Sequence, residues 1–104
     1  MITREVILRI LDQEKPTLRQ KYGVERIALF GSFAQGLADE NSDIDLVVHL
    51  SRPLGFEFVQ LGDYLESKLG RGVDLVTYNS LKRGELNPRR AHIARSIAGT
   101  LVYV

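Results

Sequence analysis

The sequence contains no cysteine, which excludes a disulfide framework, a thiolate metal site and a cysteine nucleophile. With only two histidines, a histidine-built zinc centre is not expected either. No apolar run approaches the roughly 20 residues that a membrane-spanning helix needs. The opening stretch carries acids at Glu5 and Asp12, the wrong pattern for a signal peptide. An excess of one charge is missing too: 14 Lys and Arg stand against 13 Asp and Glu, a net of +1. That balance argues against a protein that wraps nucleic acid by charge alone, although ten of the basic residues are arginines and a local patch fits the count. What is present is a hydrophobic fraction of 44% in 104 residues. This is enough for one well-packed core and too much for a disordered chain. The expectation is a single small soluble domain, residues 1–104, resident in the cytoplasm.

Thr3 suits a helix N-cap, with Glu5 in the first turn. Ile2, Val6, Ile7, Ile10 and Leu11 then fall on one broad face, with Leu8 off it. Pro16 is expected to end this helix or to open a short second one from Thr17 to Tyr22, which Gly23 closes. Val24 to Phe30 reads as a strand, interrupted by Gly31-Ser32-Phe33-Ala34-Gln35-Gly36 and a small polar loop reaching Ser42. Asp43 to Leu50 is the second strand. Ile44, Leu46, Val48 and Leu50 share one of its faces; Asp43, Asp45, Val47 and His49 share the other. A helix from about Phe56 to Leu69 carries Phe58, Leu61, Leu65 and Leu69 on one stripe, and Gly70 and Gly72 bracket the turn into a third strand, Val73 to Thr77. Asn79 or Ser80 starts another segment. Pro88 suits the first turn of a last helix reaching about Ala98, and Thr100 to Val104 would add a short strand. The order predicts a two-layer α/β fold in which a mixed sheet of three or four strands packs against helices on one side.

The residues able to do chemistry lie between the first and third strands. Gly31-Ser32 is followed, after ten residues, by Asp43-Ile44-Asp45. Strand alternation puts both carboxylates on one face, about 7 Å of backbone apart. Two like charges so placed repel each other, and a shared cation resolves the conflict. Magnesium, a hard ion that takes oxygen ligands, is the candidate. Asp74 is a third acid inside the apolar run Val73-Asp74-Leu75-Val76. If its strand neighbours the second, the three acids form one cluster able to hold two divalent ions about 3.5–4 Å apart, as in-line nucleotidyl transfer requires. Gly31 permits close approach of the backbone to a ligand, and Ser32 with the amides of a following helix start makes a phosphate cradle. The Gly-Ser segment is neither a Walker A loop, which would need a Lys, nor a dinucleotide fingerprint, whose glycine spacing differs.

Gly31-Ser32-Phe33-Ala34-Gln35-Gly36 with Ser42-Asp43-Ile44-Asp45-Leu46, and Asp74 within Gly72-Val73-Asp74-Leu75-Val76, resembles the DNA polymerase beta-like nucleotidyltransferase superfamily. The likeness is greatest to its minimal stand-alone form, the MNT domain, and extends from Tyr22 to Val104. The resemblance implies the minimal nucleotidyltransferase fold and a Mg²⁺-dependent transfer of AMP from ATP to a tyrosine of a small all-helical HEPN-type RNase toxin, for which the MNT protein is the antitoxin. It implies that Asp43 and Asp45 bind the metals bridging the nucleotide phosphates and that Asp74 completes the catalytic metal. Gly31 and Ser32 would cradle the β- and γ-phosphates. Close relatives often carry Arg where this chain has Gln35, which implies weaker hold on the phosphates. The larger relatives have a second, helical domain for the acceptor. Its absence here implies a site completed by a protein substrate or by another subunit of a homo-oligomer.

The remaining polar residues have plainer readings. Ser42 reads as a turn residue, since no His or Lys stands beside it to activate it. His49 shares the carboxylate face, yet a lone strand histidine more often packs. Tyr78 and Tyr103 read as structural or as interface residues. His92 lies in a basic segment with Arg89, Arg90 and Arg95, equally a solvated helix face or a contact for a toxin, RNA or phosphate. A nucleic-acid-binding module ranks low, for want of interleaved aromatics and net positive charge. A non-catalytic antitoxin that neutralises its toxin by covering it is the alternative to the enzyme.

Overall fold

Thr3 caps the first helix as its position predicts, its hydroxyl accepting from the Val6 amide at 3.3 Å. A computed structural model describes residues 2–83 and 101–104, so the helix expected between Pro88 and Ala98 and the basic segment around His92 lie outside the described residues. The elements are α1 (Arg4–Tyr22), β1 (Val24–Phe30), α2 (Gly31–Gln35), β2 (Ile44–Leu50), α3 (Glu57–Leu69), β3 (Val73–Thr77), α4 (Tyr78–Arg83) and β4 (Val102–Tyr103). Pro16 does not break α1, contrary to expectation. Its ring is exposed, and the helix is pinned on both sides of it by buried Ile7, Leu11, Leu18 and Tyr22. Each such burial contributes about 1.5–3 kcal/mol, enough together to outweigh the lost amide hydrogen bond. Gly23 ends the helix with φ +68°, its amide donating back to the carbonyls of Arg19 and Leu18.

The four strands run in the order β3-β2-β1-β4. β1 pairs antiparallel with β2 and with β4, whereas β2 and β3 are parallel, as their connection through α3 demands. A bulge between Val24 and Arg26 gives β1 one extra residue against β2. It changes the phase of the strand, so that Val24, Ile27 and Leu29 all face the α1/α3 layer and Ala28 and Phe30 face away. On the helical side, Ile7, Leu11 and Leu18 of α1 meet Ile44, Leu46 and Val48 of β2 and Leu61, Leu65 and Leu69 of α3. The other face is covered more thinly. There Ala28, Phe30, Val47 and Val76 pack with Leu81 of the short α4. The expected mixed sheet against helices is therefore present, with α4 added on the second face. The second face is the one that Asp43 and Asp45 share with Val47.

Candidate active site

Parallel pairing of β2 with β3 sets Asp45 directly opposite Asp74. Opposed residues of neighbouring strands project to the same face, with backbones about 4.8 Å apart. Residues 29 positions apart in sequence thus place two half-buried carboxylates side by side. Asp43 lies one step further out, just before β2, and is exposed. The ladder begins next to it, where the Ile44 amide donates to the Gly72 carbonyl at 2.9 Å. On the opposite side of β2, Asp45 pairs with Phe30, the last residue of β1, so Gly31 and Ser32 follow immediately beside it.

Two glycines make room for the two acids of the Asp-x-Asp pair. Gly31 has φ +72°, a left-handed conformation that favours glycine, and a Cβ there would lie 2.2 Å from Oδ2 of Asp45. The space left by Gly31 is therefore taken by a carboxylate, whereas the sequence suggested close approach of a ligand. Gly72 does the same for Asp43: a Cβ would lie 2.6 Å from its Oδ1. Gly72 has no left-handed strain, and the Asp43 side chain is free to swing on an exposed surface. Gly72→Ala is therefore expected to leave the thermal midpoint almost unchanged while displacing the Asp43 carboxylate. The rate of nucleotidyl transfer should fall by about ten-fold or more. An unchanged rate in a single-turnover assay would show that the placement of Asp43 against Gly72 does not matter.

Ser32 lies in the single turn of α2, whose start has no side-chain cap. Its first amides consequently lack both an intrahelical acceptor and a capping side chain. Gly36 ends the turn with φ +74°. Arg4 of α1 reaches over to donate to the Ala34 carbonyl at 3.0 Å, fixing α2 against the long helix. The loop that returns to β2 is closed by Asp39 and Ser42. Asp39 Oδ1 accepts from the Asn41 amide at 2.8 Å and from the Ser42 hydroxyl at 3.2 Å, while Ser42 Oγ accepts from the Asp39 amide at 2.9 Å. Ser42 is thus the turn residue its surroundings predict.

The site also depends on an arginine that sequence reading passed over. Arg71, in the turn before β3, donates through Nε to the Ser42 carbonyl at 2.6 Å and through Nη2 to the Asp39 carbonyl at 2.8 Å. Its guanidinium also lies 5.4 Å from the centre of the Phe33 ring in α2. Spacing alone could not have found it, because its partners are backbone carbonyls about 30 residues away.

His49 does not join the acids, although it shares their face. Four residues along β2 from Asp45, it is about 13 Å away down the strand. It stacks on Tyr78 with centroids 4.3 Å apart, and its Nε2 shares a 2.7 Å hydrogen bond with the Tyr103 hydroxyl. Arg26, its cross-strand neighbour, stacks in turn on the Tyr103 ring at 3.9 Å. Burial, and then the Arg26 charge, hold the His49 pKa below its ordinary 6.5, against an upward pull from Glu25. An unfolded chain therefore takes up the proton before the folded one does. The stabilisation is complete above pH 6.5 and is lost as pH falls through the lower, folded value. We expect the melting temperature to drop on acidification across that window and His49→Gln to flatten the profile. Parallel profiles for the two proteins would refute this. A cleft of about 1010 Å³ opens at this same end, lined by His49, Arg52, Phe58, Thr77, Tyr78 and Arg83 among others. It does not include the three acids.

The pattern of the nucleotidyltransferase domain family matches residues 11–101. The chain belongs to that family. Across its full length it is similar to the protein adenylyltransferase MntA of Thermococcus cleftensis, with 41% identity over 105 residues, 100% of this chain and 98% of that one. A solved structure assigned as a minimal nucleotidyltransferase superimposes with a TM-score of 0.69 at 30% identity, covering 97% of this chain and 95% of its own. A chain of a toxin–antitoxin MntA–HpeT crystal structure shares the fold, with a TM-score of 0.61 at 24% identity over 100% of this chain and 72% of that one. The family's fold and reaction class are thus those to which the Gly-Ser and Asp-x-Asp spacing pointed. Within the fold, the described residues hold no group of three or more acids and histidines that could hold a metal ion. Mg²⁺ does not need such a group, since it commonly binds through one or two carboxylates and completes its shell with substrate phosphates and water. The donor set here, all carboxylate with Asp45 and Asp74 in register, fits an ion of that kind.

Proposed function

We propose that this protein transfers AMP from ATP to a tyrosine hydroxyl of a helical HEPN-type RNase toxin, silencing it, and so acts as its cytoplasmic antitoxin. The carrying observation is the register of Asp45 on Asp74 beside Gly31-Ser32, which gathers two acids and the uncapped start of α2 at one end of the sheet. In the reaction the acceptor oxygen bonds to the α-phosphorus, the bond to pyrophosphate breaks and the hydroxyl proton is lost. Asp45 and Asp74, in register, are the residues that would hold Mg²⁺ together with the substrate phosphates, and Asp43, exposed one step further out, would join them once the nucleotide is bound. Bound there, Mg²⁺ would supply charge neutralisation at the phosphates. The uncapped first turn of α2 and the Ser32 hydroxyl would take the β- and γ-phosphates. Asp74, on the edge strand β3, would face the acceptor and favour transfer of its proton to solvent. The full-length likeness to a protein adenylyltransferase supports both AMP as the group transferred and a protein as its acceptor. None of the described helices is long and apolar enough to cross a membrane.

One observation favours the alternative, an antitoxin that acts by covering its toxin. Gln35 is exposed at the end of α2 and brings no positive charge to the phosphates. Intact-mass analysis separates the two readings. The protein and its toxin are incubated with Mg²⁺ and each nucleoside triphosphate in turn, beside an Asp43→Asn/Asp45→Asn control. An AMP-sized mass step on the toxin, absent with the control, is the expected result. A stable complex with no mass step under any nucleotide would leave neutralisation by binding alone.

A further inference from the structure

The candidate site is assembled from three segments that the sheet alone does not hold together. Asp45 and Asp74 sit within the paired ladder, so their spacing is set by strand geometry. Ser32 and Asp43 are outside it. Ser32 lies in α2, beyond the end of β1, and Asp43 ends the loop that runs from α2 back to the start of β2. Eight residues, 36–43, separate α2 from β2, and the internal hydrogen bonds of this loop reach only from Asp39 to Ser42.

Arg71 is the side chain that ties these parts together. It belongs to the third segment, the turn that delivers Asp74, and sits one residue before Gly72, against which the Asp43 carboxylate packs. From there Nε and Nη2 grip two carbonyls of the loop, and the guanidinium carbon lies over the ring of Phe33, the residue after Ser32. A guanidinium presents its donors in a rigid planar fork, so holding two carbonyls at 2.6 and 2.8 Å fixes the loop's position as well as its distance. The two carbonyls are those of Asp39 and Ser42, the two ends of the turn, so Arg71 spans it. A lysine has one ammonium on a flexible stem and would hold at most one carbonyl in the same plane.

We infer that Arg71 is a positioning residue for nucleotidyl transfer, setting the separation between the phosphate turn at Ser32 and the carboxylate of Asp43. It acts through the Asp39–Ser42 loop and touches neither nucleotide nor acceptor. This inference rests on the transferase reading above. It implies that an arginine outside the Gly-Ser and Asp-x-Asp pattern controls turnover.

The test uses the full chain with its toxin and compares Arg71→Ala and Arg71→Lys with the native protein. A misplacement of about 1 Å costs on the order of a hundred-fold in rate. Both variants should therefore lose between about ten- and a hundred-fold in kcat for AMP transfer, with KM for the toxin little changed. Independently of activity, hydrogen exchange read by mass spectrometry should speed up by about ten-fold in a peptide spanning residues 37–43 while α1 peptides stay protected. Faster exchange throughout the chain with native kcat would show a merely structural role and overturn the inference. So would an Arg71→Lys variant with native kcat, because charge without the fork would then suffice. A native protein that transfers nothing overturns the transferase reading and this inference with it. An active native protein beside an unimpaired Arg71→Ala overturns this inference alone.

Discussion

On the proposed function, Asp45→Asn is expected to reduce AMP transfer by about a thousand-fold or more, equivalent to roughly 4 kcal/mol of barrier, while binding to the toxin persists. Asp45 is the acid with least freedom to be replaced by a neighbour. It is paired with Phe30 on one side and with Asp74 on the other, and its carboxylate lies over Gly31. The amide of Asn has the same shape and keeps the backbone in both ladders, so the fold should hold and circular dichroism should not change. What is lost, on the proposed function, is one negative charge where a divalent cation and a triphosphate would meet. Asn offers the ion a neutral oxygen in place of an anionic one, and a hard cation discriminates strongly between them. Asp43→Asn should be milder, since Asp43 is exposed and its carboxylate is placed only by Gly72. Single-turnover rates with the toxin as acceptor give both numbers. Transfer by Asp45→Asn within ten-fold of native would mean that Asp45 does not hold the reacting phosphates.

Gly31→Ala is expected to be the most damaging substitution of a single small group, acting on stability and turnover together. Its backbone at φ +72° costs a Cβ-bearing residue about 1–2 kcal/mol. The added methyl would also lie 2.2 Å from Oδ2, 3.0 Å from Cγ and 3.2 Å from Cβ of Asp45. No rotation of the carboxylate relieves a contact that includes its own Cβ, so either β2 or the start of α2 must move. For a domain of this size each kcal/mol is worth about 4–8 °C in melting temperature, and a fall of about 10 °C or more is expected. A double-mutant cycle separates the two causes. Combined with Asp45→Ala, the Gly31→Ala change should cost its backbone strain and the 3.2 Å contact with the Cβ that remains at position 45, but no longer the overlap with Oδ2 and Cγ, leaving a coupling energy of about 1 kcal/mol or more between the two positions. Additive effects would show that Gly31 is needed for its conformation alone.

Much of this protein was legible because its elements obey simple periods. The Ile44/Leu46/Val48 and Asp43/Asp45/Val47 alternation of β2 and the Phe58/Leu61/Leu65/Leu69 stripe of α3 are found as read, since each element buries one face and leaves the other. Pro16 was misread for a physical reason. Local chemistry disfavours proline in a helix, and only the burial of Leu18 and Tyr22 beyond it shows that the helix is held from the far side. His49 was placed on the correct face, but distance along a strand decides chemistry as much as face does, and Tyr78 and Tyr103 engage it elsewhere.

The sequence by itself determined the residue types and their faces: a glycine-serine turn closing one strand, two acids alternating on the next, a third acid on an apolar strand. Those depend on neighbours in the chain, where period and spacing govern. Only the tertiary structure decided that β3 lies parallel to β2 with Asp74 opposite Asp45, that Gly31 and Gly72 yield their space to Asp45 and Asp43, and that Arg71 holds the loop between them. Strand order, register and the partners of a long side chain are set by contacts between distant segments, and those contacts exist only once the common core of α1, α3 and the sheet has formed.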